Sequence, residues 1–372
     1  MYKQKNILFF SIIISLFLFI ILLSYFFCIK FPCYIPANYG IKEHINIKEH
    51  YAQKITKPKI IIASGSNSLF GICTPLLKEK TNKEIINFGL NAGLPKELLF
   101  SLIKKYAKPN DIILMPLEYH YYSRKRIDPV HVMQMKNLTT WGIEYFHELS
   151  AIKKLQLFIL SIPTVHQRII NYKVKFPIRS YEEYMIDKNQ SAILSPHVDY
   201  CNSANSYGDF CIDNKSKLNN SFTEIYFNTA ELKDYNFKQL KDFSDYLAKQ
   251  NITMLLTYPV SIQNPNFDLS KKEHLEKIKA LNKKFKEHKL NVIGIPELFN
   301  FELIYSCDTC YHLNAEGAML RSLYLADAIN CYLAGIPQEI PDLKEYKILK
   351  KIEARRYLNE YRKLGYFLEE KQ

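Results

Sequence analysis

Two short stretches hold residue types that can do chemistry together. Lys59 to Gly71 reads KIIIASGSNSLFG and places Ser64, Ser66 and Ser68 around a glycine, while Cys307 to Gly317 reads CDTCYHLNAEG, with Asp308 four residues before His312. A serine hydroxyl is a poor nucleophile until a base removes its proton, and a histidine does this well once a carboxylate fixes its tautomer. Ser66, His312 and Asp308 are therefore expected as nucleophile, base and orienting acid. Glu118, after DIILMPL, reads equally as a buried acid in a structural network or as a substrate contact. His120, His131, His147, His166 and His197 stand without a partner pattern and read as surface or packing residues. The aromatic run EYHYY and the single Trp141 could stack on sugar rings or simply pack.

These residues need a scaffold, and the sequence supplies an alternating one. The β-branched run Ile60 to Ile62 predicts a buried strand over 59–63, ending in a tight turn that pushes a serine out at the sheet edge. A helix over 69–80, a strand over 84–88, a loop to Pro95, a helix to Tyr106 and a strand over 111–117 follow. Alternation resumes with a helix over 237–250, a strand over 253–260, a helix over 270–288, a strand over 291–295 and a helix from about Asn314. Strand and helix in turn argue for an α/β domain with a parallel sheet covered on both faces. In such sheets, sites form at the carboxyl ends of strands, where Ser66, Gly89, Glu118 and the 308–312 loop all fall. Residues 119–229 break the pattern and read as an insertion over the sheet edge, with a helix near 152–162. The domain is expected over 58–335 and a charged, helical tail over 336–372.

The serine turn after the first strand, the glycine of INFGLNAG and the closing DTCYHLNAEG together resemble the SGNH or GDSL hydrolase superfamily. They are most similar to its membrane-anchored envelope branch, which includes alginate and peptidoglycan O-acetylation proteins and the teichoic-acid D-alanylation protein. The likeness covers roughly 58–120 and 230–335 and implies a flavodoxin-like three-layer fold. It implies Ser66 as nucleophile, with Gly71 five positions later as in that branch, His312 as base and Asp308 as its partner. It also implies an oxyanion site at backbone amides near Ser66 and Gly89. The family's third-block asparagine has no counterpart after DIILMPL, and Asn67 or Asn91 are the substitutes at hand. The implied activity is O-acyl transfer, O-acetyl above all, or ester hydrolysis on an envelope polysaccharide or peptidoglycan through an acyl-serine, with no cofactor and with a membrane acyl-exporting partner. The alternative is a non-catalytic glycan-binding or assembly protein on the same fold.

Composition sets the remaining bounds. Of 372 residues, 48% are hydrophobic and 23% charged, which are globular values. Residues 7–27 carry no charge, enough at ~1.5 Å per residue to cross a bilayer core, and no small-residue cleavage site follows. The chain is thus expected as a tail and anchor over 1–30, touching membrane lipid, then a polar stalk over 31–57. The lysines flanking this span scarcely decide its orientation. The resemblance implies a bacterial cytoplasmic membrane, crossed once, with the domain facing the periplasm or the exterior. Cys201 with Cys211, and Cys307 with Cys310, bracket short loops and suit local disulfides. Zinc on Cys307, Cys310 and His312 would need a fourth ligand at matching spacing, and none stands there. The net charge of +13 comes mostly from lysines spread along the chain, with no nucleic-acid motif.

Overall fold

The computed structural model describes residues 2–30, 39–124, 147, 149–156, 183, 204–210, 212–213, 216–364, 366 and 368–369. The chain divides into two compact units, 1–39 with 127–178, and 40–126 with 179–372. The first contains α1 (Tyr2–Lys30), whose window Asn6–Leu23 is long and apolar enough to cross a membrane. The second carries the sheet and every candidate residue that is described.

In the second unit, β1 (Lys59–Ser64), β2 (Glu84–Gly89), β3 (Ile112–Met115) and a strand at Thr253–Leu256 form one parallel four-stranded sheet. With β4 (Ile212–Asp213) counted between them, Thr253–Leu256 is β5, and the spatial order is β2-β1-β3-β5. All six residues of β1 are buried, the expected state for a central parallel strand. Beyond β5, Val292 adds one parallel bridge to Leu256, so the strand expected over 291–295 shrinks to a single contact. Two short pairs complete the strands: β6 (Ser261–Ile262) with β7 (Asn300–Phe301), and β4 with β8 (Leu368–Glu369).

Several expected elements change shape. Residues 39–53 form helix α2 (Tyr39–Gln53), not a stalk, because Ile41, Ile45, Ile47, Lys48 and Ala52 are buried. The single helix expected over 69–80 is two, α3 (Ser66–Gly71) and α4 (Thr74–Thr81), parted by extended Ile72 and Cys73. Asp209 causes this break: its carboxylate accepts from the Thr74 amide at 2.7 Å and the Thr74 hydroxyl at 2.8 Å, capping α4 as a separate helix. Asp209 lies in the stretch read as insertion, yet Ala204, Phe210 and Ile212 share a core cluster with Ile47, Leu69, Phe70 and Cys307. Residues 204–212 therefore belong to the core. Of the helix expected near 152–162, residues 151–156 are helical and the rest lie outside the described residues.

The helices α5 (Lys96–Tyr106), α6 (Asp234–Ala248) and α7 (Lys272–Glu287) fall where the periodicity predicts them. Helix α8 (Ala315–Leu333) starts at an Asn314 cap, whose side chain accepts from the Gly317 amide at 3.0 Å. The tail is α9 (Leu343–Lys363), packed on α8 through stacked Tyr324 and Tyr346 and through Lys350 on Asp327.

Candidate active site

The turn after β1 separates Ser66, the expected nucleophile, from the two serines beside it. Ser64 and Ser68 are buried and joined hydroxyl to hydroxyl at 2.6 Å. Ser66, the first residue of α3, is half-buried, and its hydroxyl has no hydrogen-bond partner among the described residues. Only Ser66 is presented.

The histidine reaches the same helix face from far along the chain. His312 Nδ1 lies 2.7 Å from Asp308 Oδ1, so Nδ1–H donates to the carboxylate, and in that tautomer Nε2 carries the lone pair. The imidazole stacks on Phe70, with ring centroids 3.9 Å apart and planes 7° from parallel. Phe70 follows Ser66 by four residues, so both lie on one face of α3, one turn apart. His312 and Asp308 thus meet α3 at Phe70, one turn along the helix from Ser66, and Ser66 and His312 are not hydrogen-bonded to each other.

The loop that carries Asp308 and His312 is fastened on several sides. The Cys307 amide donates to the His312 carbonyl at 2.9 Å, and Ser306 bridges to Leu313. Asn314 Nδ2 holds the Ile304 carbonyl at 2.9 Å, and the Tyr226 hydroxyl donates to the Cys310 carbonyl at 2.9 Å. This hairpin turns Asp308 back onto His312. Cys307 and Cys310 are thiols here, not the disulfide their spacing suggested. Cys307 packs into the apolar cluster with Leu69 and Phe70, whereas Cys310 lies by Tyr226 and Glu224, where burial pushes its thiol up to about 12. Cys201, Cys211 and Trp141 lie outside the described residues, as do His131, His166 and His197. Among the described residues, no group of three or more His, Cys, Asp or Glu is placed to hold a metal ion.

The expected oxyanion donors divide. Asn67 is fully committed: Nδ2 donates to Ser64 Oγ and the Pro116 carbonyl, and Oδ1 accepts from Arg321. Gly89 is committed too, its amide donating to Asn87 Oδ1 at 2.8 Å. Its role is close packing, since a Cβ there would lie 2.4 Å from the Leu69 nitrogen. Asn91 remains. Its Oδ1 accepts from the Gly93 amide at 2.7 Å, and Nδ2 has no partner among the described residues. The neighbouring Ala92 Cα would lie 2.5 Å from a Cβ at Gly65, so this loop lies against the serine turn.

Glu118 is buried completely and grips that turn, with Oε2 accepting from the Gly65 amide at 3.1 Å and Oε1 from the Asn67 amide at 3.0 Å. It caps α3 in place of Gly65, which has no side chain to do so. The aromatic run after it is packing: Tyr119, Tyr121 and Tyr122 are buried, and Tyr122 stacks on Phe237. His120, read as a bystander, holds the Ala92 carbonyl at 3.1 Å and meets Tyr311 edge to face at 6.1 Å. Tyr311 borders the site, and burial holds its hydroxyl well above the ordinary tyrosine range.

Neither a protein-family model nor any curated protein or solved structure matches this chain.

Proposed function

We propose that this chain is a membrane-anchored serine acyltransferase or esterase of the SGNH type, acting on a cell-envelope glycan from the bacterial cytoplasmic membrane. The observation that carries the reading is the 2.7 Å Asp308–His312 pair stacked on Phe70, one helical turn from the only presented hydroxyl of the serine turn. In this reading Ser66 Oγ attacks the carbonyl carbon of an ester or thioester, and its proton passes to His312 Nε2. Asp308 supports the imidazolium through the Nδ1 bond. The Ser66 amide and Asn91 Nδ2 are the donors left to meet the negative oxygen of the tetrahedral intermediate, because Asn67 and Gly89 are occupied. The leaving group takes the proton from His312, and the acyl group rests on serine until a sugar hydroxyl or water, deprotonated by the same nitrogen, releases it.

The parallel order β2-β1-β3-β5, extended by the Val292 bridge, supports the flavodoxin-like form of the fold. The apolar α1 supports an anchor, which would keep the domain beside a membrane acyl donor and a growing glycan. The glycan acceptor rests on the sequence resemblance. A second reading, a glycan-binding protein without catalysis, has one observation in its favour: Ser66 and His312 are not yet hydrogen-bonded, although such bonds are often made only once substrate is present. Labelling with a fluorophosphonate probe separates the two. An adduct located at Ser66 by mass spectrometry, and lost in His312→Ala, establishes an activated serine. A folded chain that gives no adduct with the probe, and hydrolyses no acetyl ester, favours the binding protein.

A further inference from the structure

Two buried charges flank the serine turn without touching each other. Glu118 and Arg321 both have no solvent exposure, and they meet only through α3. On one side the Glu118 carboxylate holds the Gly65 and Asn67 amides. On the other, Arg321 of α8 donates through Nη1 to the Asn67 carbonyl and through Nη2 to Asn67 Oδ1. Asn67 Nδ2 then ties the same residue to Ser64 Oγ at 3.2 Å and to the Pro116 carbonyl at 2.9 Å. The residues on either side of Ser66 are therefore bound at nearly every polar atom, while its own hydroxyl is not.

The arrangement places two charged groups in the interior, more than a helix cap alone requires. Burial pushes the Arg321 guanidinium down to about 9, with Glu118 opposing that shift, and Arg321 Nε has no partner among the described residues. A polar side chain at the N-cap would satisfy the helix start far more cheaply, but nothing larger than glycine fits at position 65. A Cβ there would lie 2.4 Å from Glu118 Oε1 and 2.5 Å from the Ala92 Cα. Buried ionic groups often stabilise less than an apolar replacement would, and what they supply is a fixed arrangement.

We infer that Glu118 and Arg321 are positioning residues for Ser66, a clamp that acts through Asn67 to hold the nucleophile's backbone in place; this role rests on the reading of Ser66 as nucleophile. A misplacement of about 1 Å at a reacting atom costs on the order of 100-fold in rate. Positioning of this kind leaves the titration of the base untouched.

The test uses the full chain in lipid nanodiscs, as wild type, Glu118→Gln, Arg321→Met and the double variant. The rate of fluorophosphonate addition at Ser66 is followed from pH 5 to pH 9, beside hydrogen exchange over residues 65–68. Each single variant is expected to slow labelling roughly 10- to 100-fold with an unchanged pH midpoint and to lose exchange protection at Gly65 and Asn67. The double variant is expected to be no slower than the worse single one, because both act through one residue. Labelling within twofold of wild type in Glu118→Gln, a displaced midpoint, or multiplying effects would each overturn the clamp. A folded wild type that gives no Ser66 adduct overturns the nucleophile reading and this role with it, and exchange at 65–68 then shows whether the clamp exists without the chemistry. If Glu118→Gln fails to fold, Glu118→Asp and Arg321→Lys, which keep both charges, carry the test. Slower labelling with the same midpoint supports positioning, and unchanged rates overturn it.

Discussion

Ser64, Ser66 and Ser68 carry one functional group each, and backbone geometry assigns them different work. Ser64 and Ser68 turn inward and satisfy each other, whereas Ser66 is half-buried and its hydroxyl has no hydrogen-bond partner among the described residues. Ser68→Ala should therefore cost about 1 kcal/mol in urea unfolding, the worth of one buried hydrogen bond, and leave probe labelling within a few-fold. Ser66→Ala should abolish labelling with little change in the urea midpoint. Loss of labelling in both variants, with both still folded, would mean that the inward pair and not Ser66 alone governs the chemistry. Asp308→Asn tests the base. An asparagine amide facing Nδ1 favours the tautomer with the proton on Nε2, so labelling should fall by roughly 10²- to 10⁴-fold. The Asp308–His312 contact was legible in the sequence because a DxxxH pair before a helix cap is local information. The donors were not. Asn67 and Gly89 look available in one dimension, and only the positions of Arg321, Pro116 and Asn87 show that they are occupied. Arg321 itself lay hidden in an apolar stripe, where a lone arginine among Met319, Leu320 and Leu323 was the signal to follow.

The elements around the site were recognisable one by one where a period persists, and misjudged where a distant residue decides. The periodic helices α5, α6 and α7 came out within a few residues of their expected bounds. The break between α3 and α4 did not, because Asp209, some 135 residues away, caps the second helix. Helix α2 was read as a stalk for the same reason: its isoleucines are widely spaced among charges, and one of those charges, Lys48, is itself buried. β2 and α3 approach each other closely at Gly89. A methyl there would meet the Leu69 nitrogen at 2.4 Å and the Ser68 carbonyl carbon at 2.7 Å, and both are backbone atoms that cannot swing aside. Gly89→Ala should push α3 away from the sheet, lowering stability by about 1–3 kcal/mol in urea unfolding and slowing Ser66 labelling in the fraction that stays folded. A variant as stable and as reactive as the parent would mean that α3 is not seated by this contact.

Across the second unit, one polar knot joins parts of the chain that the sequence keeps far apart. Lys48 of α2 donates to the Asn87 carbonyl on β2 and to the Gly208 carbonyl, each at 2.6 Å. Asp209 accepts from Thr74 of α4, from Asn87 Nδ2 and from the Tyr366 hydroxyl. Burial lowers the Lys48 ammonium from 10.5 to about 8, against the pull of Asp209, and burial likewise raises the Asp209 carboxyl. The lysine makes stability depend on pH in a definite direction. Below about pH 8 both folded and unfolded chains hold the proton, and the folded state carries the full cost of burying the charge. Between about 8 and 10.5 the unfolded chain keeps a proton that the folded chain has released, so this group's contribution to stability rises with pH. Tyrosines with raised values act oppositely at alkaline pH, which makes a comparison with Lys48→Met necessary, since both proteins share those tyrosines. The variant should be less stable at every pH, because the Asn87 and Gly208 carbonyls lose their donor and Asp209 loses its counter-charge. From pH 8 to pH 10 the urea midpoint of the parent should rise relative to that of the variant. Parallel movement of the two midpoints would show that Lys48 keeps its ordinary proton affinity, and that the knot holds by hydrogen bonding to carbonyls with little penalty for the buried charge.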